Sequence, residues 1–123
     1  MKSPVSLIGT LCWLLSSAAV AAPTLTLTLD SAAAGPGEFA AGEIRREAAA
    51  HGLAVVAPGA AAPADAVRVT LQVTTVAAAR PQSYVVRVQR AGGGATIEVS
   101  GADAAGVMYG GLEVAEAIRT GTL

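Results

Sequence analysis

Thiols, imidazoles and aromatic rings are scarce in this chain of 123 residues, which has one Cys, one His, one Trp, one Phe and two Tyr. A single thiol, Cys12, excludes an internal disulfide and a thiolate-rich metal site. A zinc centre needs three or four ligands, usually drawn from His and Cys. His51 is the only histidine, and no HExxH occurs. GxGxxG and GK[ST] are both missing, so phosphate cradling by a Gly-rich loop has no sequence support. Gly-x-Ser-x-Gly is missing too, and nothing positions a Ser-His-Asp triad. Lys2 is the only lysine, and the seven arginines form no dense cluster, which removes the usual footprints for nucleic acid and for anionic lipid. With so few rings, no platform of co-planar aromatics for stacking sugars is visible.

What is present begins with a leader. Met1-Lys2 is positively charged, Val5 to Leu15 is mostly apolar, and Ser16 to Ala21 is small, ending Ala19-x-Ala21. This pattern predicts a secretory signal peptide over residues 1–21, cut after Ala21. A membrane span needs about 20 apolar residues, more than this run offers, and the competing expectation is an uncleaved N-terminal anchor. Cys12 follows Leu11 inside the apolar run, so it is not a lipoprotein acceptor. Removing the leader takes away Lys2, Cys12 and Trp13 and leaves 102 residues, with seven arginines against nine carboxylates, a net charge of −2. Packing alone must then hold the fold, and about 100 residues are enough for one core.

Hydrophobic period places the elements. Thr24 to Leu29 alternates Thr and Leu, a half-buried strand. Asp30-Ser31 and Gly35-Pro36-Gly37 break it. Glu38 to His51 predicts a helix with Phe39, Ile44 and Ala48 near one face, stopped by Gly52. Leu53 to Val56 is a short strand, and the uncharged Pro58 to Ala64 is a loop. Val67, Val69, Leu71 and Val73 alternate with polar residues in the next strand. After a connection over Ala77 to Gln82, Tyr84 to Gln89 and Thr96 to Val99 form a hairpin about the turn Gly92-Gly93-Gly94. Ser100 and Asp103 make a Ser-x-x-Asp cap signature before a last helix. Its stripe is Val107, Gly111, Val114 and Ile118. Gly106, Gly110 and Gly111 cost helix propensity, about 1 kcal/mol each, and imply close approach to the sheet. The order β-α-β-β-β-β-α predicts an α+β two-layer sandwich, a mostly antiparallel sheet with two helices on one face.

The residues able to carry chemistry have plain readings. His51 sits at a helix end, near the negative pole of the dipole. Glycosidases work with two carboxylates, and Glu113 and Glu116 lie one turn apart on the last helix, but that spacing describes a solvated face. Glu98 alternates with Ile97 and Val99, exposed or paired with Arg87 or Arg90 across strands. Asp103 is a helix N-terminal carboxylate. Phe39, Tyr84 and Tyr109 suit core or edge packing. No catalytic residue, cofactor ligand or metal ligand is nominated.

The run Tyr84, Val86, Val88, then a Gly turn, then Ile97, Val99, Gly101, Gly106, Tyr109 and Gly110 is similar to the N-terminal, non-catalytic domain of secreted beta-N-acetylhexosaminidases and alpha-glucuronidases. Glu43-Ile44-Arg45-Arg46 looks like that domain's first helix, and Asp65-Ala66-Val67-Arg68-Val69 like its middle strand. The resemblance implies a zincin-like α+β fold without the zinc site, and a (β/α)8 barrel that follows it and holds the catalytic carboxylates. The resemblance reaches no barrel within these 123 residues, so no catalytic residue carries over. The expectation is a periplasmic or secreted accessory domain over residues 22–123, supporting a (β/α)8 catalytic domain in cis or in trans, with no cofactor and no nucleic acid. The competing expectation is a free-standing module that binds protein or glycan. An exposed apolar patch beside the C-terminus would favour the first, and a concave polar pocket holding Tyr84 or Tyr109 the second.

Overall fold

Alternation of Leu and Thr builds the first strand, β1 (Thr24–Leu29), with Leu25 and Leu27 buried and Thr28 exposed. The computed structural model describes residues 22–75 and 79–123; the leader expected over residues 1–21 lies outside them. Asp30 ends β1 by accepting from the Ala32 N–H at 3.2 Å, which starts a single 3-10 turn, Ser31–Ala33. Helix α1 (Pro36–Ala50) opens with Pro at its first position, where the missing N–H has no helical partner to lose. His51 caps its C-terminus and Gly52 follows at φ 77°, the left-handed stop that the His-Gly pair implies. The remaining elements are β2 (Ala54–Val56), β3 (Val67–Val73), β4 (Tyr84–Ala91), β5 (Gly94–Gly101) and α2 (Ala104–Thr120).

The two-layer α+β arrangement is as expected, a five-stranded sheet ordered β2-β1-β3-β5-β4 with both helices packed against one face. The pairing is not mostly antiparallel. β1 pairs in parallel with β2 and β3, β3 in parallel with β5, and only β4 and β5 are antiparallel. The reason lies in the connections. α1 returns the chain to the starting end before β2, the loop over residues 57–66 returns it again before β3, and β4 runs outside β5. Leu/Thr alternation concealed this, because parallel strands ordinarily have both faces covered and read as continuous apolar runs. Here no helix lies on the second face among the described residues, so the strands keep a half-buried pattern.

Register turns the sheet into rows. Leu27, Val69, Ile97 and Val88 lie side by side on the helix face. The next row, Thr28, Thr70, Glu98 and Arg87, lies on the open face. The core gathers Leu25, Leu27, Leu71, Ile97 and Val99 from the sheet, Ile44 and Ala48 from α1, and Val107, Val114 and Ile118 from α2. Phe39 is not part of it and stands 57 % exposed. The buried positions of α1 are Gly37, Ala40, Ala41, Ile44 and Ala48, which share one side of the wheel, and Phe39 falls on the opposite side and points outward.

The helical glycines have steric reasons. A Cβ on Gly106 would lie 2.3 Å from the Ser83 carbonyl oxygen, one on Gly110 2.5 Å from Val99 Cγ1, and one on Gly111 2.7 Å from Ala40 Cβ. α2 therefore lies backbone-close to the start of β4, to β5 and to α1. Gly101 is as tight, since its Cβ would meet the Val107 nitrogen at 2.3 Å.

Candidate functional site

The glycine-rich junction between β5 and α2 is organised by Asp103. Its Oδ1 accepts from the Gly106 N–H at 2.8 Å, which caps α2, and its Oδ2 accepts from the Gln82 N–H at 2.9 Å. One carboxylate thus ties the helix start to the entry of β4, where Gln82 has φ 63°. Bonds from Gln82 and Gly106 stabilise the charged form and hold the Asp103 carboxyl below its ordinary value. Ser100 takes no part in the cap. It belongs to β5, and its Oγ lies among polar side chains of the sheet. The Ser-x-x-Asp signature is corrected accordingly: a strand reaches one residue beyond Ser100, so the helix can only be capped from Asp103.

The two helical carboxylates diverge. Glu113 Oε1 accepts from the Tyr84 hydroxyl at 2.6 Å, while Glu116 pairs with Arg119, whose Nε donates to Oε2 at 2.8 Å. The hydrogen bond to Glu113, with burial and its negative charge, raises the Tyr84 phenol above its ordinary value. The Arg119 bond lowers the Glu116 carboxyl. The two carboxylates thus have different partners, Tyr84 of β4 for Glu113 and Arg119 of the same helix for Glu116. His51 lies 3.8 Å from Glu47 at the end of α1, and Tyr109 is 43 % exposed. No group of three His, Cys, Asp or Glu side chains suited to a metal is assembled among the described residues.

Two of the concavities flank β4. The first lies on the open face at the C-terminal ends of β3 and β5, a hollow of about 300 Å³ lined by Gln72, Thr74, Ser83, Arg87, Glu98 and Ser100 among others, with Tyr84 and Val85 at its border. Glu98 faces Arg87 across the ladder as the alternation suggested, but its hydrogen-bond partners are others. Gln72 Nε2 donates to Glu98 Oε1 at 2.7 Å and to Ser100 Oγ at 3.3 Å, and Ser100 Oγ lies 3.3 Å from the same carboxylate oxygen. Sequence reasoning did not single out Gln72 or Thr74, and it read Ser100 only as part of a helix cap. Their signal was present only as the polar half of each strand's alternation.

The second is an apolar notch of about 160 Å³ between β4 and the C-terminal half of α2, lined by Val86, Val88, Ile97, Val114, Ala117 and Leu123 among others. Val88 is 50 % exposed there, because α2 does not reach over the edge strand. β4 also ends the sheet, so its outer backbone groups have no ladder partner. No described helix is long and apolar enough to cross a membrane.

No family model and no curated protein matches the chain. Among solved structures, the chain is similar to a GH138 enzyme targeting pectin rhamnogalacturonan II, with 15 % identity and a TM-score of 0.56. The match covers 81 % of this chain and 14 % of that one. The fold is thus one that recurs as a small part of a much longer glycoside hydrolase. At this identity the likeness concerns fold alone, and activity has to be argued from the site.

Proposed function

We propose that this chain is an exported accessory domain of glycoside-hydrolase type, hexosaminidase- or alpha-glucuronidase-like, that supports a (β/α)8 catalytic domain in cis or in trans and does not itself hydrolyse. The observation that carries this reading is the fold likeness, which covers 81 % of the chain but 14 % of a glycoside hydrolase. The notch beside Leu123 supports it. It is an exposed apolar surface on an uncapped sheet edge, the kind of surface a partner domain covers. The divergent hydrogen bonding of Glu113 and Glu116 supports a non-catalytic role.

The test is to sequence the locus onward from the Leu123 codon and to assay the exported protein on chromogenic hexosaminides and glucuronides. The reading expects coding sequence for β/α repeats with a paired Asp/Glu, in frame or in an adjacent gene, and no turnover by the chain alone. Unrelated flanking sequence would overturn the association with a barrel. Turnover would overturn the supporting role.

A second reading, a free-standing module that binds protein or glycan, is favoured by one observation, the hollow bordered by Tyr84 with Gln72, Glu98 and Ser100 on its floor. The surfaces behind the two readings are separate. The notch lies on the helix side of β4 and the hollow on its open side.

A further inference from the structure

We propose that the hollow on the open face is a subsite for the ring of a neutral sugar, gripped through adjacent hydroxyls by Arg87 and Glu98. At about 300 Å³ it sits at the lower end of the range of ligand pockets, about 300–1,000 Å³. Its floor is prearranged. Gln72 and Ser100 hold Glu98 Oε1, which fixes the half-buried carboxylate and leaves Oε2 without a partner among the described residues. Arg87 stands opposite Glu98 in the β4–β5 register, exposed, and no described residue forms an ion pair with it. A fixed acceptor thus lies beside a donor fork, and the two charges cancel.

This pattern selects the ligand class. A carboxylate or phosphate drawn to Arg87 would meet the charge of Glu98, and a cation drawn to Glu98 would meet Arg87. An apolar ligand would strip water from the Gln72–Glu98–Ser100 network and gain only the contacts of Ala79, Val85 and Ala102, whereas a sugar ring can lay its C–H face on these and keep the network bonded. A hydroxyl both donates and accepts, so neighbouring ring hydroxyls satisfy both groups at once, and Thr74 and Ser83 at the rim add further polar contacts. No aromatic face is free for stacking, because the Tyr84 ring lies against Gly110 and its hydroxyl is bound to Glu113. Hydrogen bonds, with the few apolar contacts, therefore set the affinity, which falls on the order of millimolar. This binding gives the second reading above its ligand class, and it holds whether or not a catalytic domain joins the chain, so the two ideas fail separately.

The experiment is a ¹H–¹⁵N NMR titration of the exported protein with methyl glucopyranoside, methyl galactopyranoside and N-acetylglucosamine, with galacturonate and glycerol as controls. Saturable shifts at the amides of Thr74, Arg87 and Ser100 with at least one neutral sugar are expected. Arg87→Ala, at an exposed site, leaves the rest of the spectrum unchanged and weakens binding about tenfold or more, the loss of a charged hydrogen bond. Glu98→Gln weakens it as well. Four results would each overturn the proposal: no saturable shift with any neutral sugar at about 100 mM, stronger binding of galacturonate than of every neutral sugar, equal shifts with glycerol, or binding unaffected by Arg87→Ala.

Discussion

The two faces of one sheet differ more than any two segments of the chain. On the helix face the row Leu27, Val69, Ile97 and Val88 is 3 %, 1 %, 0 % and 50 % exposed, so burial is complete until the edge strand and then fails. One residue further along each parallel strand, the row Thr28, Thr70, Glu98 and Arg87 is polar throughout. The first row supplies stability by removing apolar area from water, and the second supplies donors and acceptors in fixed order. The helix face runs out of cover at β4, which has the apolar notch on that side and the hollow on the open side. Recognition, in either form proposed above, belongs at this edge and not in the core.

The comparison can be broken hardest at the helix–sheet seam. Gly106→Ala places a methyl 2.3 Å from a backbone oxygen of Ser83, which cannot swing aside as a side chain would. The expected loss is about 3 kcal/mol, at the upper end for overpacking, read as a drop in urea midpoint with m unchanged. Leu27→Ala, in the buried row, is expected to cost about 3 kcal/mol as well, through lost transfer energy and the cavity it leaves. A neutral Gly106→Ala would mean that α2 does not sit as close to the sheet as described, and a neutral Leu27→Ala that the row is not packed.

Much of this face was legible in the sequence. The five strands, the two helices and their order follow from period and breakers, and the helical glycines announce close packing because nothing else offsets their propensity cost. Strand direction was not legible. Alternation reports how many faces are covered, and an open-faced parallel sheet alternates like an antiparallel one. Phe39 was misplaced for a different reason. A large ring outweighs three alanines in any reading of apolarity, yet Ala40, Ala41 and Ala48 make the contact face. The hollow was invisible because its floor joins Gln72 to Glu98, 26 residues apart, through a parallel pairing that alternation cannot reveal.

The junction that holds α2 to β4 should respond to pH at both ends of the scale. Asp103→Ala removes the bonds to Gly106 and Gln82 together, and a lower melting temperature at neutral pH is expected. Because the folded carboxyl titrates below its ordinary value, its contribution is present above the unfolded value and is lost as pH falls through the folded one. The difference in melting temperature between wild type and Asp103→Ala should therefore shrink on acidification. A difference constant down to strong acid would mean that the carboxylate charge is not what holds the corner. Tyr84→Phe has a smaller effect, about 0.5 kcal/mol at neutral pH, since the bond to Glu113 is open to solvent. Its sign is opposite. The folded phenol titrates above 10.0, so its contribution is present below that value and is lost as pH rises through the raised one. In alkali, wild type should lose its margin over Tyr84→Phe.

The smallest expected effect is also the most informative about partners. Thr28 follows Leu27 directly but points to the open face and is exposed. In the isolated chain Thr28→Ala should change stability by no more than about 0.5 kcal/mol, the range for a surface site whose cross-strand neighbour is another threonine. Measured by urea unfolding at two protein concentrations, the value should be small and the same at both. A cost above about 1 kcal/mol that grows with concentration would mean that a second copy covers this face. A small, constant value leaves the face uncovered and makes the contrast with Leu27 a property of a single chain: two adjacent residues, one holding the fold and the other free to vary.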